Sequence, residues 1–323
     1  MPQSTAALLP QVDHRNGNPL AARKSVICRQ KNSGSEMAMI NCSRLDRRRF
    51  HRRQFDRRQF LGLAALFAAT TALVLPVTSL PAHAAEDEAT WASLKPDVFG
   101  SRTIEDGAGV IKLDAPYRAE DAAIVPIGFE AGLADGRTIK AVTVIVDENP
   151  SPVVATFRFG EGRKTVGLST RVRVNSYSYV RAVAEASDGK LYMTKAFVKA
   201  SGGCSAPAGK DPEEAAANVG KMRMATFDKD GRREAQVQLR HPNNSGLQSD
   251  PVTHLFIPAW FVRDLEVRQG DKTVMSMQGG ISISEDPTIR FTVAPGGAGP
   301  YEVKAIDTEN REFKGTFEPK PAS

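Results

Sequence analysis

Residues 177–198, YSYVRAVAEASDGKLYMTKAFV, decide the fold class of this chain. Each half of the stretch has the composition of a β-strand. Asp188-Gly189 separates the halves, and an Asp-Gly pair between two such runs is typical of a tight hairpin. We therefore predict two antiparallel strands joined at Asp188-Gly189.

Similar runs recur at short spacing on the N-terminal side of the hairpin. Several end at turn-forming residues such as Asp147–Pro150, and Ser169–Val174 alternates polar and apolar residues as a half-buried strand does. Short strands with regular turn signals favour a β-sandwich, so we predict one over residues 88–200. Trp91–Phe99 predicts a short amphipathic helix that ends before Gly100.

The strand pattern resumes near residue 231 and continues to residue 319, which predicts a second sandwich. Residues 201–230 between the two domains predict a cysteine-bearing loop and a short helix. Asp211, Pro212 and the acidic residues after them suit a helix start, and we expect the helix to reach about Met222. The predicted fold class is all-β, with two β-sandwich domains.

Charge is unevenly distributed along the chain. The whole sequence carries a formal charge of +6, but residues 1–84 hold 13 Lys and Arg against 4 Asp and Glu. The other 239 residues hold 30 Lys and Arg against 33 Asp and Glu. Nucleic-acid binding needs a clustered basic face, so we exclude nucleic acid as a partner.

The basic segment belongs to a predicted twin-arginine-type signal peptide within residues 1–84, behind a polar extension that we predict to be disordered. Arg57–Gly62 resembles the twin-arginine export motif, an apolar segment follows to about Leu75, and Ala82-His83-Ala84 suits signal cleavage. The apolar segment is shorter than the roughly 20 residues of a membrane-spanning helix. We predict a periplasmic protein that starts near Ala85 and does not bind the membrane after cleavage.

Cys204 lies in Ser201–Gly209, a segment without bulky apolar side chains. Signal cleavage would leave it as the only cysteine, and an unpaired thiol in an oxidising compartment is potentially reactive. Because Gly202, Gly203 and Ser205 flank it, we expect an exposed, mobile loop. We predict that Cys204 is a covalent attachment point; the alternative is an inert buried cysteine.

Few other residues are candidates for chemistry. Only His241 and His254 follow the predicted signal peptide, and metal sites draw on several His or Cys ligands, so no metal site is predicted. A catalytic pair of Cys204 with His241 is an alternative that the glycine-flanked cysteine disfavours, so no catalytic residue is predicted. Gly296–Gly299 precedes a strand rather than a helix, and no cofactor is predicted.

Both domains resemble known sulfur-oxidation proteins. The first resembles SoxY, a periplasmic sulfur carrier, through Trp91–Gly100, Ile111–Asp121 and Gly202-Gly203-Cys204. The second resembles SoxZ through Leu239–Leu247 and Phe256–Val262. Their order resembles fused SoxYZ-like carriers, a group associated with quinoprotein (PQQ) dehydrogenases.

The resemblance implies two immunoglobulin-like sandwiches and places Cys204 at the position that carries sulfur intermediates on a swinging arm. Two features depart from the family pattern. Ser205-Ala206-Pro207 replaces two glycines after the cysteine, and the second domain continues from the arm. We therefore expect an arm that is stiffer than usual and tethered at both ends.

The predicted function is that of a periplasmic carrier, not an enzyme, which holds a sulfur-containing group on Cys204. Its predicted partners are periplasmic sulfur-oxidation enzymes or quinoprotein dehydrogenases. Two alternatives stay open: an accessory or docking protein of a quinoprotein dehydrogenase, and a thiol-dependent enzyme.

Overall fold

The structure is a computed structural model that describes residues 82–207, 209, 212–229, 232–294 and 297–319. Residues 1–81, which hold most of the predicted signal peptide with Cys28 and Cys42, lie outside the described residues. The described helices are α1 (Ala82–Phe99) and α2 (Pro212–Asn218), and neither is long and apolar enough to cross a membrane. The described strands are β1 (Ile104–Asp106), β2 (Ile111–Asp114), β3 (Val125–Gly132), β4 (Ile139–Val146), β5 (Val153–Phe159), β6 (Thr165–Val172), β7 (Ser178–Ala186), β8 (Leu191–Val198), β9 (Met222–Lys229), β10 (Arg232–Leu239), β11 (Val262–Gln269), β12 (Lys272–Gly279), β13 (Thr288–Thr292), β14 (Tyr301–Asp307) and β15 (Glu312–Phe317).

The predicted hairpin is confirmed as β7 and β8, which pair antiparallel. The Ala186 amide donates to the Lys190 carbonyl at 3.0 Å and closes the turn. Gly189 has a φ of 84°, a left-handed conformation that glycine adopts without a steric penalty. The Asp188 carboxylate accepts the Lys190 amide at 3.1 Å, which explains why Asp precedes Gly here.

Helix α1 covers the outer face of the sheet that contains this hairpin. Its Trp91 packs with Ile145, Val183 and Leu191 in a cluster of its own. The buried guanidinium of Arg181 lies 4.5 Å from the centre of the Trp91 ring. Strands β4 and β7 are therefore buried on both faces, and most of their residues are buried instead of every second one.

The strands form two sheets, and the predicted all-β class is confirmed. The larger sheet has the order β1-β8-β7-β4-β5-β12-β11-β14-β15, and the smaller has β2-β3-β6-β13-β10-β9. Both sheets pass from the first domain into the second, at the antiparallel pairs β5–β12 and β6–β13. The two sandwiches thus share a continuous core, a feature that the strand pattern alone does not reveal.

The segment after α2 differs from the sequence expectation. The helix ends at Asn218 instead of near Met222, and β9 occupies residues that the strand pattern assigned to the linker. Gly220 has a φ of 84°, and its amide donates to the Arg240 carbonyl at 2.9 Å. A left-handed glycine commonly terminates a helix, and the chain after it pairs with β10 along the whole of β9.

Cleavage between the domains should leave the two fragments associated. A protease site introduced between residues 209 and 212 would cut the connection but not the pairs β5–β12 and β6–β13. We expect the fragments to elute together in native gel filtration and to separate in denaturant. Separate elution under native conditions would contradict the shared sheets.

Candidate functional site

The segment that follows β8, residues 201–207, is called the cysteine arm here, and it folds back onto the first domain. The Gly202 amide donates to the Asn175 carbonyl at 2.8 Å, and the Gly203 amide donates to the Val174 carbonyl at 3.0 Å. Gly202 has a φ of 81°, and a turn closes where the Ser205 amide donates to its carbonyl at 3.2 Å. The arm is therefore hydrogen-bonded to the loop between β6 and β7.

Gly203 is needed for this close approach. A Cβ at this position would lie 2.1 Å from the Ala122 carbonyl oxygen and 2.7 Å from the Val174 carbonyl oxygen. Both atoms belong to the backbone, so no side-chain rotation could relieve the clash. The glycine serves here to bring two backbone segments together rather than to loosen the arm.

The second domain holds the other side of the cysteine arm. The Ser245 hydroxyl donates to the Cys204 carbonyl. The Gln248 side-chain amide donates to the Ala206 carbonyl at 2.9 Å, and its oxygen accepts the Ser245 amide at 3.1 Å. The loop between β10 and β11 therefore fixes the backbone of the arm directly at the cysteine.

Cys204 is fully buried, with 0 % of its surface exposed, which corrects the sequence prediction of an exposed thiol on a mobile loop. The same glycines that suggested mobility let the arm pack closely, and the second domain closes over it. The cysteine lies outside both clusters of packed apolar side chains. Burial raises the pKa of the thiol, and the nearby positive charge of Arg173 opposes that rise.

Arg173 is a buried cation next to the two segments that hold the cysteine arm. It comes directly after β6, and only 2 % of its surface is exposed. Its neighbour Val174 accepts the Gly203 amide. Its own Nη2 donates at 2.9 Å to the carbonyl of Asn243, two residues before Ser245.

His241 is engaged away from the thiol. Its Nδ1 accepts the Asn243 amide at 3.0 Å, and its Nε2 lies 3.6 Å from Oδ2 of Asp307. The ring packs edge-on against Trp260 at 4.7 Å between centroids. Burial lowers the pKa of His241, so the ring is neutral near pH 7. Its Nδ1 is bound to Asn243, whereas its Nε2 has no hydrogen-bond partner among the described residues. Among the described residues, no hydrogen bond joins His241 to Cys204, so the geometry does not support a catalytic pair.

Two family models match the chain in succession. The model described as "Sulfur oxidation protein SoxY" matches residues 95–204, and the one described as "Sulphur oxidation protein SoxZ" matches residues 222–318. The chain is a fused SoxYZ-like protein. The SoxY and SoxZ families are sulfur-oxidation carrier proteins that work with sulfur-oxidation enzymes.

Among solved structures, the chain is similar to the sulfur carrier protein SoxY from Chlorobium limicola f thiosulfatophilum. The two are 25% identical, and the match covers 37% of this chain and 98% of that one with a TM-score of 0.30. No curated protein matches the chain.

The SoxY match ends on Cys204, within the cysteine arm. Gly203 is buried with the thiol, Gly202 is half-buried, and Ser205 is exposed. The structure thus packs Gly202 and Gly203 against the first domain and leaves Ser205 exposed. Within the described ranges, no group of three or more His, Cys, Asp or Glu side chains could hold a metal ion.

Sequence reasoning missed the residues that contact the arm from other parts of the chain. Ser245 lies inside the stretch that carried the resemblance to SoxZ, but nothing in its sequence neighbourhood links it to Cys204. Gln248 lies just outside that stretch. The alternating pattern around Arg173 predicted only a polar position of a half-buried strand. Each of the three acts through a contact distant in sequence, which a local pattern does not encode.

Proposed function

We propose that this protein is a periplasmic carrier that holds a sulfur-containing group on the Sγ of Cys204 and presents it to sulfur-oxidation enzymes. The observation that carries the proposal is the placement of Cys204. The SoxY match ends at Cys204, and the Cys204 carbonyl accepts a hydrogen bond from Ser245 of the SoxZ domain. Contacts from both domains hold Cys204, so both domains can control access to its thiol.

Transfer requires the cysteine arm to move away from the two domains that cover it, because a fully buried sulfur cannot reach a second enzyme. Opening breaks four hydrogen bonds, made by the amides of Gly202 and Gly203 and the carbonyls of Cys204 and Ala206. Such bonds contribute about 1 kcal/mol each, so the arm can open without unfolding the sheets. The closed arm shields the thiol between encounters.

The proposed location and partner class extend beyond the family assignment. Export to the periplasm is supported by the Arg57-Arg58 motif and the short apolar segment after it. A quinoprotein dehydrogenase is proposed as one partner, because the resemblance associates fused SoxYZ-like chains with such enzymes. In this function the protein presents the bound group, and the chemistry belongs to its partners.

Intact-mass measurement of protein purified from its native periplasm tests the proposal. We expect a sulfur-containing adduct on the wild-type chain that a reductant removes. Cys204→Ser is the matched control and should carry no adduct. An unmodified thiol in cells that are oxidising sulfur compounds would contradict the carrier role, and co-purification of a quinoprotein dehydrogenase with that unmodified protein would favour the docking alternative.

A further inference from the structure

Arg173 combines three properties that its role in folding does not explain. It is a cation with 98 % of its surface removed from solvent, since 2 % remains exposed. Among the described residues, its side-chain hydrogen bond runs from Nη2 to a neutral carbonyl, that of Asn243, and its buried Nε has no partner. Burying a cation is costly unless an opposite charge or several acceptors compensate it.

The acidic groups around Arg173 are bound elsewhere. Asp121 and Glu285 act on it at a distance, but a carboxylate oxygen of Asp121 accepts the Ala123 amide at 2.8 Å. An oxygen of Glu285 accepts the Gly209 amide at 3.0 Å. Within the described part of the chain, Arg173 forms no ion pair at salt-bridge distance, so it has unused capacity for an anion.

Two backbone connections place Arg173 beside the cysteine. On one side, Val174 accepts the amide of Gly203, which directly precedes Cys204. On the other, Arg173 binds the Asn243 carbonyl, while Ser245 of the same loop binds the Cys204 carbonyl. Arg173 and the cysteine are therefore bound to the same two segments, and the positive charge of Arg173 acts on the Cys204 thiol.

We propose that Arg173 is a specificity-determining residue that binds the anionic end of a group carried on Cys204. The closed arm then retains sulfur adducts that end in an oxyanion, such as a sulfonate, and releases neutral adducts. The inference rests on the proposed carrier function and adds the residue that recognises the charge of the cargo. A planar guanidinium with free N–H donors matches the oxygens of such an anion.

A loaded arm must shift outward to make room for the added atoms. Charge attraction falls only with the inverse of distance and is strong away from water, so it persists over a displacement that would break a neutral hydrogen bond. Arg173 is therefore suited to hold an extended anionic adduct, whereas the Ser245 and Gln248 bonds fix only the unloaded backbone.

Two reagents load Cys204 with adducts of opposite character. The thiolate attacks an inner sulfur of tetrathionate, forms Cys–S–S–SO₃⁻ and expels thiosulfate, S₂O₃²⁻. With methyl methanethiosulfonate it forms Cys–S–S–CH₃ and expels methanesulfinate. In each case the reagent is the oxidant and its leaving group takes the electron pair. Loading in denaturant followed by refolding gives the full chain with either adduct, which intact mass verifies.

The test measures how fast a neutral phosphine removes each adduct from the refolded protein. The phosphine cleaves the S–S bond and is oxidised to the phosphine oxide, whose oxygen comes from water. The step returns the Cys204 thiol and releases thiosulfate from the anionic adduct or methanethiol from the neutral one. Because the two adducts differ in intrinsic reactivity, each rate is compared between wild type and Arg173→Met. Arg173→Met removes a charge-assisted hydrogen bond to the adduct, so removal of the anionic adduct should be at least about tenfold faster in this variant, which corresponds to about 1.4 kcal/mol.

Controls separate recognition from general loosening. The neutral adduct should leave wild type and Arg173→Met within about twofold of each other, and Arg173→Lys should restore part of the retention because it keeps the charge. Arg163→Met is the matched control. Arg163 is also a buried arginine whose Nη2 donates to a backbone carbonyl, that of Thr292, but it has no electrostatic link to Cys204.

The outcomes distinguish this inference from the proposed function. Equal acceleration of both adducts in Arg173→Met, or none of the anionic one, would overturn the role of Arg173 even if native protein carries sulfur. Selective retention of the anionic adduct by wild type would support it even if protein from the periplasm had an unmodified thiol. Only the carrier function would fail in that second case.

Discussion

Iodoacetamide should label Cys204 at least about a hundredfold more slowly in the folded protein than in the denatured chain. The sulfur is fully buried, so labelling must wait for the cysteine arm to open. Opening breaks the four hydrogen bonds of the arm. A net cost of about 3 kcal/mol, after the chain entropy that opening releases, gives about a hundredfold protection.

The measurement is the time course of mass increase with excess reagent, at neutral pH, with and without denaturant. The labelled protein should start at Ala85, because such a chain lacks Cys28 and Cys42 and reports on Cys204 alone. A folded rate near that of a free model thiol, as the sequence alone predicted, would show that the closed arm is not the dominant state.

The protection should weaken at alkaline pH. Burial raises the pKa of Cys204 above its ordinary value of 9.0, so the closed arm favours the protonated thiol. This contribution to closing is fully present below that ordinary value and is lost as the pH rises through the raised pKa. The ratio of denatured to folded labelling rates should therefore fall as the pH rises from about 9, beyond the common increase in thiolate.

The hairpin and the cysteine arm show which structural features local sequence can predict. Asp188-Gly189 specifies its turn through its own backbone and side-chain bonds, so the pattern was sufficient. Gly202 and Gly203 also indicated conformational freedom, but residues that contact them in the fold decide whether they make the arm mobile or let it pack closely. Gly203 faces the Ala122 carbonyl, a backbone contact more than eighty residues away in sequence, and there the lack of a side chain permits packing.

The junction between the domains was unpredictable for the same reason. Each sandwich was recognisable from its strands, but the pairs β5–β12 and β6–β13 join segments more than a hundred residues apart. The sequence of an edge strand does not identify its partner strand, because backbone groups make the pairing hydrogen bonds. The interface that these pairs create between the domains brings Ser245 to Cys204. The burial of the thiol therefore depends on residues outside the arm.

Gly203→Ala should release the cysteine arm and raise the labelling rate of Cys204 in the folded protein by about a hundredfold, close to the denatured rate. The added Cβ would lie 2.1 Å from the Ala122 carbonyl oxygen and 2.7 Å from that of Val174. The Val174 amide donates to the Ala122 carbonyl at 2.9 Å, so the methyl group would enter an intact backbone contact. Moving the arm outward costs less than moving that contact.

Gly209→Ala is the matched control on the segment that follows the arm, because its Cβ would meet only the Glu285 carboxylate, at 3.7 Å. It should leave the labelling rate within about twofold of wild type, whereas Ser245→Ala, which removes one of the four hydrogen bonds that hold the arm, should raise it about fivefold. Circular dichroism should show that all three variants keep their sheets, since the arm contributes to neither apolar cluster. If Gly203→Ala labelled as slowly as wild type while folded, the sulfur would reach solvent by a route other than release of the arm, and the closed arm would not be what protects it.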